Sequence, residues 1–284
     1  MTSESSTLLD LGRSILMAYA PLPGAVCGMI TGSSAEGHAD RYSDLDMTVY
    51  YEALPAMADF QRVRAQVSDG VVIWSMGNHA EGDFAEAFKV RGIEVQIGHT
   101  TVANWEQTIA AVRRGEEPGS PVHKAMSGTL ISIPVFGAER LAAWKALIGD
   151  YPDALRTAMV THHLKFFRVW ALVGRLGPRD AELWFRQMLV ESSFNVLGVS
   201  AGLSRRYFTP FQFKRARAFI ATLNVAPPDL ADRLDGLWTV TPAEAARALH
   251  GLVSDTVALV ERELPDVDTS AARKALASRD QPWT

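Results

Sequence analysis

Two aspartates at spacing two, Asp44 and Asp46, lead into the apolar run Met47-Thr48-Val49-Tyr50-Tyr51. Alternation reads Asp44–Tyr51 as a strand, with Leu45, Met47 and Val49 on one face and Asp44, Asp46 and Thr48 on the other. A strand rises about 3.3 Å per residue, so side chains of alternate residues can converge on one cation or a pair of cations. Two carboxylates about 4 Å apart repel by ~1 kcal/mol in water and by ~4 kcal/mol at an effective dielectric of 20. A fold that holds them together is most simply understood as binding a cation. An all-oxygen donor set favours Mg²⁺ or Mn²⁺ over zinc. A small-residue turn, Gly32-Ser33, precedes the pair and offers backbone N–H groups and a hydroxyl to a phosphate. A third carboxylate, Glu94, sits in Lys89–Gly98, where Ile93, Val95 and Ile97 alternate with Glu94 and Gln96. If that strand lies beside the first, three carboxylates share one face. Carboxylates, a divalent cation and a phosphate cradle describe phosphoryl or nucleotidyl transfer, in which two metals about 3.5–4 Å apart activate the attacking oxygen and neutralise the leaving pyrophosphate.

The elements that must position these residues are legible around them. Ser6–Ala20 has a helical apolar stripe, and Pro21-Leu22-Pro23-Gly24 ends it. Ala25–Thr31 is a buried strand leading into the Gly-Ser turn, and residues 34–37 begin a short helix. Ala56–Ser68 is helical, Val71–Trp74 extended, and Thr101–Arg114 a helix capped by Thr101. The polar loop Arg113–Pro121 is the first plausible boundary, and Leu130–Gly137 is extended. From Glu139 onward the period is helical, with helices expected over Leu155–Val173, Pro178–Gly198, Thr209–Leu223 and from Pro242 to near Glu263. The plan is α+β: a mixed sheet with helices over residues 1–138, followed by a helical bundle over 139–284.

The spacing Gly32-Ser33, ten residues, then Asp44-Leu45-Asp46 resembles the signature of the nucleotidyltransferases of the DNA polymerase beta superfamily. Within it, Gly32-Ser33-Ser34-Ala35-Glu36-Gly37, followed by Ser43-Asp44-Leu45-Asp46, is most similar to the aminoglycoside and lincosamide nucleotidyltransferases and their uncharacterised bacterial relatives. Residues 20–100 carry most of the resemblance. A weaker part covers 150–240, where Tyr207-Phe208-Thr209-Pro210, Lys214 and Pro227-Pro228-Asp229-Leu230 are similar to the helical domain of kanamycin-type enzymes. The resemblance implies that Asp44, Asp46 and Glu94 are catalytic and bind Mg²⁺ or Mn²⁺. It implies that Gly32 and Ser33 hold the β- and γ-phosphates, that Ser43 adds a phosphate or metal-water contact, and that Lys214 reaches the triphosphate from a helical domain closing the cleft. Glu36 stands where many members carry a basic residue, and Glu94 is one methylene longer than the usual aspartate. General-base candidates are Glu94, Glu182 and Glu191.

The reaction so implied takes a nucleoside triphosphate, ATP foremost, and moves the nucleotidyl group to a hydroxyl of a small acceptor, releasing pyrophosphate. An aminoglycoside-like antibiotic is one candidate acceptor. The alternatives are a toxin-type enzyme acting on tRNA or protein, and a degenerate scaffold that binds nucleotide without turnover. Charge bears on this choice. Residues 1–153 sum to −8, residues 154–228 to +8 and residues 229–284 to −4. The basic stretch suits nucleotide phosphates or RNA, or else pairs with the acidic N-terminal half. Aromatic-basic RNA-binding signatures and extended basic arms are absent, so nucleic acid is not the favoured partner. The lone Cys27 excludes an intramolecular disulfide. Without a signal peptide or a span of ~20 apolar residues, a cytoplasmic location and no membrane partner are expected. His162-His163 read as surface or interface residues, and Trp170, Trp184 and Trp238 as core. Nucleobase preference and oligomeric state are not encoded in any motif.

Overall fold

A computed structural model of the chain describes residues 1–68, 70–176 and 179–278, apart from the side chains of Trp170 and Arg175. Pro178, expected at the start of a helix, lies outside the described residues. The chain divides into two compact units, Met1–Ala111 with Ala125–Asp150, and Val112–Lys124 with Tyr151–Thr284.

The first unit begins with α1 (Ser3–Tyr19), whose N-cap Thr2 accepts the Ser5 N–H. Then come β1 (Ala25–Thr31), the single turn α2 (Gly32–Ala35), β2 (Leu45–Tyr51), α3 (Met57–Val67), β3 (Val72–Asn78), β4 (Asp83–Val90), β5 (Ile93–Thr101) and α4 (Val102–Arg113). After α5 (Val122–Ile131) come β6 (Ile133–Phe136) and α6 (Ala138–Gly149). The six strands form one mixed sheet in the order β3-β4-β5-β2-β1-β6, in which β2 and β5 run parallel and the other pairs antiparallel. An α+β architecture follows.

The buried face of the sheet is the one the alternation marks. Leu45, Met47, Val49, Val95 and Ile97 pack with Leu8, Ile15, Leu16 and Tyr19 of α1 and with Phe60 and Val63 of α3. Each such side chain contributes about 1.5–3 kcal/mol on burial. On the opposite face, Tyr50 of β2 packs against Trp105 of α4 and Trp144 of α6, with ring centroids at 5.8 and 4.5 Å. That face is therefore covered at its Tyr50 end.

Two features were not foreseen. The stretch Lys89–Gly98 is not one strand. Arg91 and Gly92 have positive φ (52° and 82°), the conformation of a tight two-residue hairpin turn, so the chain reverses there and a whole strand, β4, precedes it. Residues 122–129, for which no element was expected, are helical, and the helix runs on to Ile131, into the stretch expected to be extended from Leu130.

The second unit contains α7 (Asp153–His163), α8 (Val169–Ala171) continuing as a π-turn over Leu172–Leu176, α9 (Glu182–Leu203), α10 (Ala216–Ile220), α11 (Leu230–Gly236), α12 (Pro242–Glu263) and α13 (Ser270–Ala277). The helix expected over Leu155–Val173 breaks after His163, and the one expected over Thr209–Leu223 shrinks to α10. By contrast α12 starts at Pro242, fixed by a capping box between Thr241 and Glu244. Close approach of α7 to α9 depends on glycine. A Cβ on Gly198 would lie 2.2 Å from the His163 ring, and one on Gly202 would lie 3.0 Å from Val160. Trp184 and Trp238 are 49% and 41% exposed and do not belong to the core. His163 is buried, and His162 is half-buried.

Part of the positive stretch is neutralised within its own unit: Arg186 pairs with Glu182, Arg205 with Asp153, and Arg217 with Asp232 and Asp235, and Arg156 lies 3.9 Å from Glu263. Among the described residues, no helix is long and apolar enough to cross a membrane.

Burial holds three histidines neutral: His99 is pushed down to about 3, and His123 and His163 to about 4. Unfolded, each takes up a proton near 6.5, so its contribution to stability is complete above that pH and is lost as pH falls toward the folded value. At pH 5 the loss is about 2 kcal/mol per histidine. Urea unfolding at pH 7 and pH 5 should show this decline, and His99→Phe should reduce it; identical pH slopes for the two proteins would refute the assignment to His99.

Candidate active site

The sheet topology brings three strand ends to one edge. Because β2 and β5 are parallel, they begin together. Because β1 is antiparallel to β2, it ends there. Leu45 pairs with Val95 and Asp46 with Gln96 across β2 and β5, while Thr31 pairs with Asp46 across β1 and β2. The turn after Thr31 therefore opens directly beside Asp46.

The geometry at that edge is tight. Gly32 has φ +66°, and a Cβ placed on it would lie 2.1 Å from Asp46 Oδ2. No other residue lets the backbone rest on this carboxylate without moving it. Thr31 Oγ1 donates to the carbonyl of Gly128 in α5 at 2.9 Å and ties the end of β1 in place. Ser33 is half-buried in α2, and its carbonyl accepts the His38 N–H at 3.0 Å. The loop that follows is anchored to α1: Thr2 Oγ1 donates to the Ala39 carbonyl at 2.8 Å, and the Ala39 N–H donates to Ser5 Oγ at 2.9 Å.

Asp44 and Glu94 meet through a residue that the motif search passed over. Gln96 Nε2 donates to Asp44 Oδ2 at 2.9 Å and to Glu94 Oε1 at 3.0 Å. Glu94 and Gln96 are two apart on β5, so they share the face that carries Asp44 and Asp46. The signal was present in the alternation, but an amide on a strand has no chemistry of its own to single it out. Asp44, Asp46, Glu94 and Gln96 are each half-buried.

Ser43 has a local task. Its hydroxyl donates to Asp40 Oδ1 at 3.2 Å and accepts the Asp40 N–H at 2.9 Å, while the Tyr42 N–H donates to the same Asp40 oxygen at 2.9 Å. This turn delivers the chain into β2. Lys214 belongs to the second unit, where it is exposed in the segment leading into α10. Neighbouring Phe213 meets Phe208 and Phe219 edge to face, with ring centroids at 5.3 and 5.4 Å, and Phe208 also contacts His163 at 5.6 Å. The Tyr207-Phe208-Thr209-Pro210 stretch is thus part of an aromatic cluster that fixes the backbone around Lys214. Of the general-base candidates on α9, Glu182 accepts from Arg186 at 2.8 Å and Glu191 from Gln187 at 2.7 Å.

The donor set at the sheet edge is all oxygen. Asp44 and Glu94 both reach one electropositive nitrogen, so they can reach one small cation. Among the described residues, no group of three or more histidine, cysteine or carboxylate side chains is placed to hold a metal ion. A cation here would draw its remaining ligands from water or a substrate phosphate, as Mg²⁺ commonly does.

No family model matches the chain, and no curated protein matches it. Among solved structures it is similar to a nucleotidyltransferase-like protein from Exiguobacterium sibiricum 255-15, at 13% identity and a TM-score of 0.44, over 97% of this chain and 81% of that one. That likeness is too slight to fix an activity.

Gly32→Ala should displace the Asp46 carboxylate at a stability cost of about 1 kcal/mol. The expected outcome is a folded protein with impaired divalent-cation binding, measured by Mn²⁺ titration; unchanged Mn²⁺ affinity would show that the Gly32–Asp46 contact has no role at the site.

Proposed function

We propose that the chain is a divalent-cation-dependent nucleotidyltransferase that moves a nucleoside monophosphate, AMP from ATP, to a hydroxyl of a small acceptor. The observation that supports this reading is that Asp44 and Glu94 share the Gln96 amide at the strand ends where Asp46 lies against the Gly32 turn. Asp44, Asp46 and Glu94 would hold Mg²⁺ or Mn²⁺, which supplies charge neutralisation at the transferring phosphate.

The residues of the chain divide the remaining work. The Gly32-Ser33 turn offers backbone N–H groups to the β- and γ-phosphates, and Lys214 adds a cationic contact to the triphosphate. The acceptor oxygen forms a bond to the α-phosphorus, the bond from that phosphorus to the bridging oxygen breaks, and pyrophosphate departs. The hydroxyl proton passes to a carboxylate. Glu94 is favoured by its place beside Asp44; it accepts from Gln96 much as Glu182 and Glu191 accept from neighbours on α9. A small acceptor is favoured over RNA because the sequence carries no aromatic-basic RNA-binding signature and no extended basic arm. The acidic balance of the N-terminal half suits a cationic acceptor such as an aminoglycoside.

The test is incubation with α-labelled ATP, Mg²⁺ and separate panels of aminoglycosides, lincosamides and tRNA. Label should move to a small acceptor with release of pyrophosphate, and Asp46→Asn should lower the rate to below about a hundredth. Lys214→Ala should raise the KM for ATP more than it lowers kcat. ATP binding without pyrophosphate release in any panel would point to a nucleotide-binding scaffold, and transfer to tRNA alone would replace the acceptor class.

A further inference from the structure

Gln96 occupies an unusual place for an amide. Both N–H groups of Nε2 are directed at anions, one at Asp44 Oδ2 (2.9 Å) and the other at Glu94 Oε1 (3.0 Å), and its Cα lies opposite that of Asp46 in the β2–β5 register. The two carboxylate oxygens are therefore held no more than about 6 Å apart. Hydrogen bonds to ionised acceptors are about twice as strong as neutral ones, so the amide offsets the repulsion that would otherwise splay the acids. It does so without adding charge. An arginine or lysine at this position would cancel the field that attracts a cation; leucine would leave the carboxylates to separate; asparagine, one methylene shorter, would reach one carboxylate and miss the other.

We propose that Gln96 is the positioning residue of the acid cluster, setting the separation of Asp44 and Glu94 and thereby the affinity for the divalent cation. This rests on the cation-dependent reading above. Gln96 acts through the two acids and needs no contact with the substrate.

The experiment is Mn²⁺ titration of the full chain, followed by the electron paramagnetic resonance signal of the free ion, for wild type, Gln96→Leu and Gln96→Asn. Far-UV circular dichroism and thermal midpoints in EDTA report folding. Both variants should bind Mn²⁺ about tenfold or more weakly than wild type, the usual consequence of losing a residue that orients metal ligands, with an unchanged fold. A purely packing role would lower the midpoint and leave the affinity alone. Should Gln96→Leu fail to fold, Gln96→Asn, which keeps the polar amide on a half-buried strand position, decides the matter. Wild-type affinity in a folded variant overturns the role of Gln96 while leaving the cation reading intact. If the wild-type chain binds no Mn²⁺, the cation reading and this inference fall together.

Discussion

The parallel pairing of β2 with β5 is the constraint on which the rest of the first unit depends. Parallel neighbours cannot be joined by a tight turn; they need a long crossover. Residues 52–92 provide it, as α3 and the β3–β4 hairpin. The result is that two strands start together with Asp46 opposite Gln96, and the Gln96 bridge between Asp44 and Glu94 follows from that register. A slip by one residue would turn Leu45, Met47 and Val49 outward and the aspartates into the core. Burial of those apolar side chains against α1 and α3 therefore protects the placement of the acids as well as the fold.

The same sheet carries charge in two quite different ways. Glu86 of β4 is buried and paired with Arg64 of α3, a full opposite charge that compensates its desolvation. Burial still raises its pKa above the ordinary carboxylate value, with Arg64 acting against it. At the sheet edge the carboxylates are half-exposed, and the group between Asp44 and Glu94 is a neutral amide. The first arrangement consumes negative charge and the second preserves it. The partner of the carboxylate, a guanidinium in one case and a neutral amide in the other, thus decides whether its negative charge is cancelled.

Much of this was legible in the sequence, for definite reasons. The alternation over Asp44–Tyr51 gave β2 and its faces, because a strand with one buried face repeats every two residues. The limits of β1 and α12 were also readable, the second from Pro242 and its capping residues. What could not be read depended on partners distant in the chain. Gln96 acquires its role only when β5 is placed beside β2. The β4 strand was hidden because Arg91-Gly92 lacks the Asn-Gly or Asp-Gly pair that usually marks a hairpin. Trp184 and Trp238 sit at apolar positions of helical segments, yet the tertiary packing leaves them partly exposed. The resemblance to known nucleotidyltransferases named the acids, but the contact that joins two of them lies outside its motif.

The second unit settles its charge and its backbone strain locally. Its many arginines, taken from the sequence, invite a polyanion; in the fold, those of α9 through α11 largely face acids of the same unit. The segment around Lys214 is built differently. Gln212 and Arg215 both hold positive φ (48° and 59°), which costs energy for residues other than glycine. Ring-to-ring packing of Phe208, Phe213 and Phe219 along the same stretch offsets that cost. Strain held in place by packing, on either side of a lysine, is spent on fixing where that lysine sits. A broad electrostatic surface for nucleic acid needs no such fixing, because phosphates along a strand can be met in many registers. A defined triphosphate would need it, and that is the task the proposed function gives Lys214.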